Sequence, residues 1–491
     1  MLARRATHDR PSNLPRRFAR RRVRKPSPRH PYNSLFVSLE RAVELARSGR
    51  EQAEQDLFEE LRIPSVSTLP EHRADVRRNC QWLANRFGRL GFEVAVTDVE
   101  ESGQPVLQAD WRGAGDAAPT VSIYGHYDVQ PPDPIEEWRT PPFEPVVENG
   151  FVYARGCSDN KGNHMAALKA AEYAIEAGLP VNLRFLIEGE EEIAGHSLPR
   201  YLRDNAGRLR SERTLIWDGG FAPDGRPALV TGLRGILYLE LRAQGPGIDL
   251  HSGSFGGVAP NPCNTLARVL GELKDRNGVI TIPGFYDDVR PPSPEESAEW
   301  DRSQAYAETL LSLMQARALE GEPGYAPVDR QWARPTLDVH GFEGGFTGAG
   351  SKTVIPARAM AKVSMRLVPD QDPDRIAAAF RAYVAELTTP GVQIETVDLG
   401  MAADPVLLDW NSRAATALSD AFAAAFGTPA ASVRAGGSVP VTTAFQEAVG
   451  GEILCSGISQ PGAGAHSPNE HLSLDHYHRG IEAVLHFLYA D

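Results

Sequence analysis

Apolar residues recur at helical spacing over residues 38–50 and 72–90, and Gly91 closes the second stretch. Short β-rich runs stand at 92–96, at 120–124 (TVSIY), at 182–187 (NLRFLI) and at 214–217 (TLIW). Residues 164–177 predict a helix that stops at Gly178. Strands alternating with helices predict an α/β fold, a mixed, mainly parallel sheet flanked by helices. Near Gly232 the texture changes. LYLELRA (237–243) and MAKVSMRL (360–367) alternate apolar and polar positions, as half-exposed strands do. Between them a loop with Pro291, Pro292 and Pro294 leads into an acidic stretch, 295–319, that predicts one long helix. An α+β domain inserted in the first is therefore expected. The α/β texture returns near Gly400, with helices predicted at 411–426 and 476–488.

Length supports this division. A chain of 491 residues exceeds the usual single core. An apolar content of 42% and a charged content of 23% are ordinary for a globular protein. No run of about 18 apolar residues occurs, so no membrane span or membrane partner is expected. Cys80, Cys157, Cys263 and Cys455 lie far apart with no CxxC pair. They suggest neither a disulfide framework nor a zinc knuckle, and a reducing cytoplasm is expected.

Charge is uneven. Residues 1–31 carry eleven Lys/Arg against one acid, Asp9, while the whole chain has a net charge of -13. The arm is expected to be a disordered basic extension, since a charge-rich, Pro-punctuated segment cannot bury a core. No apolar segment follows the arginines, so a secretory signal is not expected. The acidic body argues against nucleic acid as the main partner.

Candidate chemistry sits where the predicted strands end. His126 stands two residues beyond TVSIY, Glu191 and Glu192 follow NLRFLIEG, and Asp218 directly follows TLIW. Asp159 opens the turn before the 164–177 helix. Open α/β sheets gather ligands just beyond the carboxyl ends of their strands, so these residues are expected to converge. His466, in GAGAHSPNE, completes a set of five metal-type ligands: His126, Asp159, Glu192, Asp218 and His466. Singly, each has an ordinary role as a turn, cap or surface residue. As an ordered set they point to metal. Two imidazoles with carboxylates and no thiolate suit zinc, manganese or cobalt. Five ligands exceed one tetrahedral zinc but fit two ions sharing a carboxylate. Neighbouring glutamates in Glu190-Glu191-Glu192 point differently, so one can bind metal while another faces a water. Of the other eleven histidines, all but His251 are read as structural or surface residues, and Cys157 as a packed thiol. GGFTGAGSKT fails as a phosphate loop because Ser351 stands where the second glycine must be.

The ordered set GHYDVQPP, ARGCSDNKG, EGEEEIAG, DLHSGSFGG, GAGSKTVIP, MRLVP and AGAHSPNE resembles the M20 metallopeptidase family, most closely its branch of cytosolic non-specific dipeptidases and carnosinases. The resemblance runs from about residue 40 to the C-terminus. It implies a catalytic domain in two parts, 32–230 and 399–491, and an inserted lid or dimerisation domain, 231–398. It implies that His126, Asp159 and Asp218 hold one divalent ion and that Asp159, Glu192 and His466 hold the other. Asp128 would orient His126, and Glu191 would be the general base. His251 would reach the partner subunit's site in a homodimer. Thr353, Arg366 and Ser438 would bind substrate. The acidic loop carries one residue more than the family pattern, so Glu190/Glu191 is the alternative base and ligand pair. The implied activity is hydrolysis of dipeptides or other short peptides with a free C-terminus, by metal-activated water with a Glu base. The alternative is an N-acyl amino acid deacylase or a carboxypeptidase of the same fold.

Overall fold

The computed structural model describes residues 32–302, 304–436 and 441–490. The basic arm and Ser438 therefore lie outside the described residues. A nine-stranded sheet forms the larger body. Its central strands, Asn182–Glu188, Thr120–His126, Arg213–Trp217 and Glu452–Ser456, run parallel in that spatial order. Val106–Trp111 and Glu93–Thr97 extend one side antiparallel. On the other side come Ala228–Leu233, Val406–Leu407 and Ala431–Ala435.

Both faces of this sheet are covered, and the strand sequences show why. Along Thr120–His126, Val121 and Ile123 enter one core while Tyr124 enters the other. Leu183, Phe185 and Ile187 alternate with Leu186 in the same way, and Leu215 and Trp217 with Ile216. Successive strand residues point to opposite faces, so a strand buried on both sides is apolar throughout. Helices Arg73–Arg89, Lys161–Ala177, Arg413–Phe426 and Leu474–Leu488 cover one face; Ser197–Asn205 and Val441–Ala448 cover the other.

A second, four-stranded antiparallel sheet has the order Thr336–Gly344, Arg358–Leu367, Gly235–Gln244, Gln393–Ala403. Its inward residues, among them Leu237, Leu239, Val363 and Met365, form a third core with helices Pro262–Glu272 and Pro373–Leu387. The chain passes from the large sheet to the small one between Leu233 and Gly235.

The acidic stretch expected as one helix over 295–319 is instead two, Pro294–Glu299 and Gln304–Met314. Trp300 turns extended (φ -78, ψ 135). Its ring is buried edge-on against Trp332, with centroids 5.3 Å apart, and joins the core of the large sheet. Burial of that ring outweighs the helix propensity of the acidic run. Glu296 and Arg434 form a buried two-pronged ion pair at 2.7 and 2.8 Å that ties this segment to strand Ala431–Ala435. Among the described residues no helix is long and apolar enough to cross a membrane.

Candidate active site

The parallel strands end at one edge, and the ligand-type residues gather there. His126 is the last residue of Thr120–His126, and Asp218 is the first beyond Arg213–Trp217. Glu191 and Glu192 lie in the helical turn Glu191–Ile193 just past Asn182–Glu188. Asp159 stands two residues before helix Lys161–Ala177. His466 sits in the loop after strand Glu452–Ser456, at φ 61.

Distances divide these residues into two overlapping groups. His126, Asp159 and Asp218 converge, and so do Asp159, Glu192 and His466. His126 Nε2 lies 3.1 Å from Asp159 Oδ1 and 3.6 Å from Asp218 Oδ1. His466 Nε2 lies 3.2 Å from Asp159 Oδ2 and 3.1 Å from Glu192 Oε2. Asp159 thus presents one oxygen to each group.

The electrostatics follow from crowding four carboxylates around two imidazoles. Burial opposes charge on His126, yet Asp218, with hydrogen bonds to Asp128 and Asp159, holds its pKa well above the usual range. Contacts with Asp159 and Glu192 lift His466 to about 10. Burial would raise Asp159, but its two imidazole contacts prevail and hold it low. Glu191 has no such contact. Burial, then Asp218, Asp159 and Glu192, push it well above the carboxylate range, with His126 opposing.

The three adjacent glutamates have separate fates. Glu190 turns away: its oxygens accept from the amides of Gln104 (2.8 Å) and Ser197 (3.3 Å). Glu192 faces the cluster, with Oε2 also receiving Gln130 Nε2 at 2.8 Å. Its side chain is only 2% exposed, and Oε1 is buried without a hydrogen-bond partner. Such an orphaned oxygen is costly unless a cation meets it. Asp128 holds the turn in place, its oxygens accepting from the amides of Glu191 (3.3 Å) and Glu192 (3.1 Å). His126 Nδ1 also faces Asp128, at 3.0 Å from its carbonyl and 3.4 Å from its carboxylate. This leaves Nε2 aimed at Asp159 and Asp218.

Several residues without a sequence-assigned role build this edge. The fully buried Glu470 accepts from the amides of Gly156 (2.8 Å), Ser158 (2.8 Å) and Asp159 (3.0 Å), and from Arg155 at 2.8 Å. It cradles the turn that carries Asp159. Asn160 donates to Trp217 O and Asp218 Oδ1, and its own oxygen accepts from the His126 amide. His164 supports the His126 carbonyl through Nδ1 at 2.9 Å and meets Glu60 through Nε2. Gly125 lets these elements close up: a methyl there would meet His164 Cβ at 2.7 Å and Asn160 Oδ1 at 2.8 Å.

Other expected residues stand on the small-sheet side. His251 is exposed, and its Nδ1 accepts from the Gly253 amide at 3.0 Å. None of its hydrogen bonds reaches the cluster. Thr353 lies beside it, its carbonyl accepting from the Ser252 amide at 3.0 Å, on the ribbon formed by Leu250–His251 and Val354–Ile355. Arg366, half-buried, sits in Arg358–Leu367 between Thr336 and Ile236. A cleft of about 430 Å³ opens against Asp159 and Asp218, walled by Phe221 and Gly462.

Residues 122–490 match the family described as Peptidase family M20/M25/M40. The chain belongs to this family. It is a metallopeptidase by that membership. A Cys-Gly metallodipeptidase of Schizosaccharomyces pombe is 30% identical over 469 residues, covering 91% of this chain and 97% of the relative. A Beta-Ala-His dipeptidase of Homo sapiens is 30% identical over 440 residues, 86% of each chain. The solved structure of the M20 family metallo-carboxypeptidase Sso-CP2 from Sulfolobus solfataricus superposes with a TM-score of 0.79 at 33% identity, covering 89% of this chain and 98% of that one.

Proposed function

We propose that this M20 peptidase hydrolyses dipeptides and other short peptides with a free C-terminus, with two divalent ions in its two ligand groups. One observation carries the reading: the groups share Asp159, and Glu191 stands beside both without belonging to either. The donors fit such a pair. Four carboxylates, Asp159, Asp218, Glu191 and Glu192, surround two imidazoles, a charge that two dications would balance. Glu192 Oε1 has no other partner. Nitrogen and oxygen ligands without thiolate favour zinc or manganese, with cobalt as a further choice.

When bound, the ions would polarise the scissile carbonyl and make water more acidic. Glu191 then takes the proton of the attacking water and returns it to the leaving amine. Its fit to this role rests on a half-buried carboxylate that lies outside both ligand groups. Asp128 keeps the Glu191–Ile193 turn and the His126 ring in register. Arg366 receives the substrate carboxylate in a two-pronged way. Thr353 and Ser438 contact the rest of the substrate.

His251 is the donor to the oxyanion, supplied to the partner subunit's site in a homodimer. Its exposed position on the small-sheet ribbon, without a hydrogen bond to its own cluster, supports action in trans. A His251→Ala chain should be inactive alone and regain activity when mixed with Glu191→Gln chains; no regain in mixed assemblies would contradict this. All four cysteines are free thiols, in keeping with a cytoplasmic setting.

The likeness to a carboxypeptidase favours a second reading, cleavage of longer peptides from the C-terminus. A panel of dipeptides, pentapeptides and N-acetyl amino acids separates the two. The holoenzyme should prefer dipeptides by kcat/KM. A preference for either other class by tenfold or more would replace the dipeptidase reading.

A further inference from the structure

Arg234 immediately precedes the Gly235–Gln244 strand, in the sequence GLRGI. In the small sheet Ile236 is the cross-strand partner of Arg366. Residues two apart on a strand share a face, so Arg234 stands on the Arg366 side of the sheet, diagonal to it. Asp338 shares this face, since its partner Ser364 lies two residues from Arg366. A cavity of about 500 Å³ opens here, lined by Arg234, Thr336 and Asp338, and Thr336 is the other cross-strand partner of Arg366.

The Arg234 guanidinium is held rather than loose. Nε donates to the Gly436 carbonyl at 3.0 Å and an Nη to that of Arg334 at 3.5 Å. These bonds fix the plane of the fork. They also join the start of the small sheet to Gly436, the residue two before Ser438. Burial, with Arg366 nearby, pulls Arg234 down to about 10, and burial also lowers Arg366; Asp338, on the same face, opposes both shifts and offsets part of the repulsion. Two half-buried guanidiniums on one face repel each other, and an anion between them turns that repulsion into attraction.

We propose that Arg234 is a second carboxylate-recognising residue, which with Arg366 clamps the α-carboxylate of the substrate's C-terminal residue. The inference rests on the reading of this chain as a peptidase that requires a free C-terminus. It adds a reason for that requirement: two planar forks converge on one small anion.

The test is the ratio of kcat/KM for a dipeptide to that for its C-terminal amide, measured on metal-loaded enzyme. Arg234→Lys keeps the charge but loses the fork. It should reduce the acid-to-amide ratio by roughly 10–100-fold, chiefly through KM for the acid. Arg366→Lys should reduce it as well. Equal losses on acid and amide, or no loss, would overturn the assignment and leave Arg234 a purely structural residue. If only Arg366→Lys moves the ratio, Arg234 is wrong and the free C-terminus reading stands; if neither does, that reading itself fails. Arg234→Gln is read by the same ratio should the lysine chain not fold.

Discussion

Glu191→Gln is expected to lower kcat by about 10²–10⁴-fold, the range typical for loss of a general base, while both metal groups remain intact. The substitution changes one oxygen to an amide and keeps the volume. Neither group of ligand atoms includes Glu191, so metal content should stay at the wild-type value. The pH profile gives an independent sign. A general base works only in its ionised form, so that form is lost as pH falls through the pKa Glu191 has beside the bound ions. The wild-type rate should therefore decline on the acid side, and this decline should be missing from the residual activity of the glutamine chain. Near-normal turnover, or loss of metal together with activity, would remove Glu191 from the role of base.

Glu470→Ala should destabilise the fold by about 3–5 kcal/mol, the cost of leaving a buried charge without its partner. Arg155 and Glu470 are both about 1% exposed and pair at 2.8 Å. The same carboxylate also accepts from the Gly156, Ser158 and Asp159 amides. Removing it strands a guanidinium and three amides in the interior. Because these amides carry the turn that aims Asp159, metal affinity should fall with stability. Urea denaturation and metal-binding isotherms of the purified variant measure both effects. A loss below about 1 kcal/mol, or wild-type metal affinity, would show that the turn holds itself.

Glu470 also illustrates what sequence could not convey. It follows His466 in HSPNE, yet its task is to satisfy amides more than 300 residues away. Asn160, His164 and Arg234 are similar: each works through backbone groups that only the fold brings near. The strand-end candidates were legible because the signal is local. An apolar run followed by His, Glu or Asp places that side chain at the sheet edge whatever the rest of the chain does. Period-two alternation likewise revealed the two inner strands of the small sheet. The outer strands escaped because each is irregular, with register shifts between Val339 and Gly341 and between Asp398 and Ala402. The 295–319 run has the pattern of one helix but breaks at Trp300 for a tertiary reason, the burial of that ring against Trp332.

The glutamate run marks the boundary between the two kinds of information. Three identical neighbours cannot be told apart by composition or spacing. The side chain of Glu190 is taken by Gln104, a residue from the loop before another strand, and by Ser197. That long-range contact separates Glu190 from the pair facing the cluster. It supports the Glu191 and Glu192 assignment over the Glu190 and Glu191 alternative.

Two ions, held in the two groups that share Asp159, are expected to drive dipeptide hydrolysis. The most direct measurement is a titration of the metal-free chain with Mn²⁺ or Zn²⁺, following hydrolysis of a dipeptide. Activity should rise to a plateau at two equivalents per chain. A plateau at one equivalent, or full activity without added metal in the presence of chelator, would contradict it.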